Sequence, residues 1–91
     1  MLTKAMALEW AQHNINVNAI APGYVDTEMI AYALQDPKSR EAKIKGTPLR
    51  RIGTPEDIGP VAVFLSSAAS DFMTGSTVII DGGQIARGPC W

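Results

Sequence analysis

Cysteine is nearly absent: Cys90 is the single one in 91 residues. No disulfide can form within the chain, and a reducing compartment, the cytoplasm, is expected. Cys90 has no His or Asp near it in sequence, so it reads as an inert thiol rather than a nucleophile. Histidine is equally scarce, with His13 alone and no second ligand candidate at a metal-binding spacing, so no metal site is expected. No apolar run approaches the ~18 residues that span a bilayer. The opening Met1-Leu2-Thr3-Lys4 lacks the arrangement of a signal peptide. A basic block is also missing and the net charge is −1, so neither nucleic acid nor an anionic membrane is indicated as a partner. There are eight glycines, yet none makes a Gly-x-Gly, and the Gly-rich turn that sits under a pyrophosphate is not there. A P-loop is absent too. Neither Tyr24 nor Tyr32 has a Lys four residues on, so no Tyr/Lys acid–base pair exists and no catalytic residue is assigned.

What remains is an ordinary globular composition, 46% apolar and 19% charged, which excludes disorder. The length allows one small domain of marginal stability. Residues 1 to about 13 read as a helix, apolar on too many sides for a surface stripe and so expected to be buried on more than one. Asn14 suits a left-handed cap. Residues 15–21 read as a strand covered on both faces. Two short helices are expected between Thr27 and Lys45, broken at Asp36-Pro37, followed by a loop punctuated by Gly46, Pro48, Gly53 and Pro55. Thr54-Pro55-Glu56-Asp57 is a helix start with an N-cap, a proline at the first position and acids in the first turn. Ile58, Val61, Ala62, Phe64, Leu65, Ala68 and Ala69 give it an apolar face, and Pro60 is expected to kink it. Ser76–Ile80 reads as a second strand ending in an Asp81-Gly82-Gly83 turn, with an irregular tail over 84–91. Helix, strand, helices, strand makes one βαβ unit with parallel neighbours.

The run Ile15 to Met29 is the most telling. An apolar strand stops at Pro22-Gly23 and delivers Val25 and Thr27 into a loop at a carboxyl end, where open parallel sheets bind ligands. Gly23 would let backbone come close to that ligand. Val25 can offer only backbone groups. Thr27 offers a hydroxyl, either to a ligand or as the N-cap of the next helix. Asp26 and Glu28 suit the dipole of that helix start. Tyr24, Met29 and Met73 are candidates for an apolar lining.

Asn16-Val17-Asn18-Ala19-Ile20-Ala21-Pro22-Gly23-Tyr24-Val25-Asp26-Thr27-Glu28-Met29 resembles the strand and Pro-Gly loop of the short-chain dehydrogenase/reductase family. Arg51 to Ile58, Phe64 to Gly75 and Val78 to Gly83 resemble that family's later blocks. Leu2 to Glu9 is similar to the helix after its Tyr-x-x-x-Lys motif. The match runs from Met1 to about Gly83 in the right order. It implies an α/β fold, the C-terminal portion of a Rossmann-type doubly wound parallel sheet, incomplete alone. Residues 1–91 would then be a single partial domain, with the family's Gly-rich loop and catalytic Ser, Tyr and Lys lying before Met1. The resemblance implies NAD or NADP as cofactor of the intact protein, and hydride transfer to or from a small carbonyl or alcohol substrate. Pro22, Gly23, Tyr24, Val25 and Thr27 would form the cofactor loop, and Met29 would line the substrate under a lid reaching to about Gly46. It implies a homo-oligomer joined through the first helix. The isolated chain is expected neither to turn over substrate nor to bind the cofactor. The rival expectation is a non-enzymatic module that associates through an exposed sheet edge and the apolar first helix.

Overall fold

The computed structural model describes residues 1–87 of the chain; Cys90 lies outside them. Helix α1 covers Leu2–Trp10 and passes through a 3₁₀ turn, Ala11–His13, to Asn14 in the left-handed conformation (φ 60°). The single-element reading to residue 13 thus breaks at Trp10, while the Asn14 cap is where it was expected. Strand β1 is Ala19–Pro22, α2 is Glu28–Gln35, α3 is Pro37–Lys45, α4 is Pro55–Leu65 and β2 is Thr77–Ile80. The two strands are parallel neighbours, with Ala19 opposite Thr77 and Pro22 opposite Ile80.

β1 starts later than expected because residues 15–18 are anchored through side chains. The Asn16 amide donates to the Asp71 carbonyl at 2.9 Å, and the Asn18 amide donates to the Met73 carbonyl and accepts from Ser76 N–H. Pro22, one residue past the expected bound at 21, closes β1 at the Pro-Gly pair expected to stop it. It is the last paired residue, and the N–H it lacks is supplied one position on, by Gly23 to the Ile80 carbonyl at 3.0 Å.

The segment between Thr27 and Lys45 divides where Asp36-Pro37 requires. The Asp36 carboxylate accepts from Lys38 N–H, and Pro37 opens α3. α4 starts at Thr54 as expected and runs through Pro60 to Leu65 without interruption, so the proline does not divide it. Pro60 leaves the Glu56 carbonyl without a helical donor, but Glu56 is exposed, so water can replace it. Ala68–Ser70 form a separate 3₁₀ turn rather than continuing α4.

Among the described residues the buried apolar ones are few: Ala7, Leu34 and Ile52. α1 is buried only at Ala7, whose methyl faces Gly75, whereas Leu8 is 82% exposed. The expectation of a helix buried on several sides fails because, among the described residues, no other element covers its remaining faces. The accessible surface, 6804 Å², exceeds the ~5,100 Å² typical of a compact chain of this mass. The radius of gyration, 15.8 Å, likewise exceeds the ~12 Å of a compact domain of this length.

Candidate functional site

Because the strands are parallel, their carboxyl ends share one edge, and a cleft of about 140 Å³ opens there. Tyr24 and Val25 line it from the loop after β1, and Ile80, Asp81 and Gly82 from the end of β2. Thr47, Leu49, Arg51 and Gly53 come from the α3–α4 connection, Asp57 and Ile58 from the first turn of α4.

The loop after β1 is held from one side by Gly53. Gly53 N–H donates to the Tyr24 carbonyl at 2.8 Å, and Asp26 N–H donates to the Gly53 carbonyl at 2.9 Å. This short parallel bridge uses the flanking groups of Val25 and directs Val25's own N–H and C=O to the opposite edge of the backbone. A side chain on Gly53 would sit 3.3 Å from the Tyr24 carbonyl oxygen, which explains glycine there. Gly23 is explained differently from the expectation. A Cβ on it would lie 2.8 Å from the Asp81 Cβ, so its missing side chain makes room for the segment that follows β2.

Two carboxylates border the cleft, and both are committed to structure. Asp57 receives a two-pronged contact from Arg51, at 2.8 and 3.0 Å, and a bond from Thr54 N–H at 2.8 Å. The Arg51 guanidinium, and then Thr54 N–H, hold its carboxyl well below the usual carboxylate range. Asp81 accepts from the N–H groups of Ile85 and Gly83, each at 2.9 Å, and these lower its pKa, Ile85 the most. The turn that Asp81 organises puts Gly82 and Gly83 at positive φ against Thr47 and Pro48, and Leu49 N–H donates to the Gly82 carbonyl. Neither acid is suited to donate a proton near neutral pH. The cleft can bind and orient; proton transfer through a low-pKa carboxylate is not what these groups are arranged for.

The profile of the enoyl-(acyl carrier protein) reductase family matches residues 1–84. The chain belongs to the short-chain dehydrogenase/reductase family. Among the relatives of this short-chain dehydrogenase/reductase, 2-dehydro-3-deoxy-D-gluconate 5-dehydrogenase of Dickeya dadantii is 45% identical over 86 residues, 94% of this chain and 34% of its own length. The 3beta-hydroxysteroid dehydrogenase 1 of Eggerthella lenta is 43% identical over 84 residues, 92% of this chain and 32% of its own length. The gluconate 5-dehydrogenase from Burkholderia cenocepacia J2315, solved in complex with NADP and tartrate, superposes with a TM-score of 0.89 at 41% identity, over 94% of this chain and 34% of that one. The two-stranded parallel sheet is thus part of a Rossmann-type α/β fold, and the chain spans about a third of the length of the relatives it matches.

Of the residues read from the sequence, Tyr24 and Val25 line the cleft. Pro22 and Gly23 form the strand end beneath it. Thr27 lies outside the cleft as the N-cap residue of α2, through its carbonyl and without a side-chain cap bond, so its hydroxyl is not used by the helix. Met29 falls in α2, and its side chain lies outside the described residues. Met73 is remote from the cleft and carries the carbonyl that receives Asn18. Sequence reasoning did not pick out Arg51, Gly53 and Asp57 as site residues. The spacing of Arg51 and Asp57 is legible only after the helix start at Thr54 is known to turn Asp57 back over the loop.

Proposed function

We propose that this chain supplies the C-terminal third of an NAD(P)-dependent oxidoreductase that moves hydride between a nicotinamide and a small carbonyl or alcohol substrate. One observation carries the reading: a cleft at the shared carboxyl edge of two parallel strands, beside a loop whose Val25 N–H and C=O are left outside the Gly53 bridge. These residues fit the carboxamide end of such a cofactor, because an amide needs one donor and one acceptor side by side. The Thr27 hydroxyl is a further candidate contact. Nothing among the described residues cradles a diphosphate, so the chain alone is expected not to hold the dinucleotide. The nicotinamide supplies the hydride acceptor or donor; the role of this chain is to fix the ring's orientation and to cover the substrate with α2 and α3. NADP in the Burkholderia cenocepacia structure supports the cofactor class.

The chain alone should oxidise reduced cofactor no faster than the blank across a panel of ketones. Grafted in place of the matching third of the Dickeya dadantii enzyme, it should give turnover. Activity of the chain alone would remove the assignment of proton transfer to groups outside it. A folded but inactive hybrid, checked by circular dichroism, would remove the oxidoreductase reading.

A further inference from the structure

The balanced net charge conceals a local excess. Six of the eight Lys and Arg residues lie between Lys38 and Arg51, against one acid, Glu41. This segment forms α3 and the wall of the cleft that follows it. Arg51 is committed to Asp57, the one ion pair among the described residues. Lys43 is different. It is half-buried, and its Nζ stands 5.3 Å from the ring centre of Tyr24, which lines the cleft. One donor goes to Ser39 Oγ at 2.9 Å. An ammonium has three donors, and no carboxylate among the described residues takes the other two. A partly desolvated cation with donors to spare beside a binding cleft attracts an anion strongly, since screening there is weaker than in open water.

We propose that Lys43, steadied on Tyr24 and Ser39, binds the carboxylate of an anionic substrate, and that the surrounding Lys and Arg residues steer that anion to the cleft. The inference rests on the oxidoreductase reading and narrows its substrate class to carbonyl or alcohol compounds that also bear a carboxylate.

Site-resolved lysine labelling tests this on the full chain, whatever its association state. Trinitrobenzenesulfonate is reacted with the chain in sodium D-gluconate, in D-glucose with matched sodium chloride, and in inorganic phosphate, and each lysine is followed by mass spectrometry. D-Gluconate should slow labelling of Lys43 about threefold, the factor for a ligand at twice its Kd, with Lys4 as the unaffected internal reference. D-Glucose should leave Lys43 unchanged, and Tyr24→Leu should abolish the protection. Equal effects of D-gluconate and D-glucose, or uniform slowing of every lysine, would overturn the proposal. Protection by phosphate as strong as by D-gluconate would also overturn it, by giving the cation to a phosphate group. An unprotected Lys43 beside an active hybrid enzyme defeats this inference alone. A protected Lys43 beside an inactive hybrid upholds the carboxylate site and defeats the oxidoreductase reading beneath it.

Discussion

At the scale of single residues, the two ends of the loop after β1 do different work. Gly23 has no room for a side chain, since a Cβ would lie within 3 Å of both the Asp81 Cβ and Cα. Gly23→Ala must push the end of β2 aside. It should destabilise the chain by about 1–3 kcal/mol, the usual cost of overpacking, measured as a lower urea midpoint at an unchanged slope. Thr27 is the reverse case. Its hydroxyl makes no cap bond, so Thr27→Ala should leave the melting temperature nearly unchanged. In the hybrid enzyme it should weaken cofactor binding by about 0.5–1.5 kcal/mol, the value of one hydrogen bond. A lower melting temperature with unchanged cofactor affinity would make Thr27 a cap only. The position of the Pro22-Gly23 turn was legible because proline and glycine act locally. What Gly23 accommodates was not, because Asp81 is far away in sequence and the two meet only through β1–β2 pairing.

At the scale of elements, α4 was the most readable. Thr54, Pro55, Glu56 and Asp57 state a helix start in four adjacent letters, and the helix begins there. β1 was the least readable: Ile15 and Val17 look like strand residues, but the flanking Asn16 and Asn18 amides bind loop carbonyls instead. The start of α4 also makes stability depend on pH. Asp57 has a lowered pKa in the folded chain, so the stability it adds is fully present above the usual carboxylate range. It is lost as pH falls through about 4 toward the folded value. Thermal melts at pH 7 and pH 3 should therefore differ less in Asp57→Asn than in the parent chain, while Asp57→Asn melts lower at pH 7. A residual acid loss from Asp81 should persist in both. An equal pH dependence in the two chains would show that the Arg51–Asp57 contact adds nothing.

For the whole molecule, the small core and the large surface have one physical meaning. Leu2, Leu8, Val63 and Phe72 stand exposed, and each strand is paired on one side only among the described residues. Apolar faces and open strand edges associate. Light scattering on the purified chain should report oligomers or aggregates whose size grows with concentration; a sharply melting monomer at high concentration would contradict this. The family was legible because its blocks are local motifs. The charge excess was missed because the six cations are spread over fourteen residues rather than run together, and the fold sets Arg51 in the wall of the cleft and Lys43 against Tyr24.

The register of the sheet has a kinetic side. Ala19 and Thr77 pair across 58 positions, so the ladder cannot form until a long loop has closed. Closure costs about 3–4 kcal/mol of chain entropy at that length before any pairing repays it, and topologies of this kind fold slowly. The bridge between Val25 and Gly53 spans roughly half that separation and shares its loop with β1. It can therefore close first and bring the two strand ends within reach. Gly53, a residue with no side chain, thus closes the shorter of the two loops as well as shaping the cleft it lines.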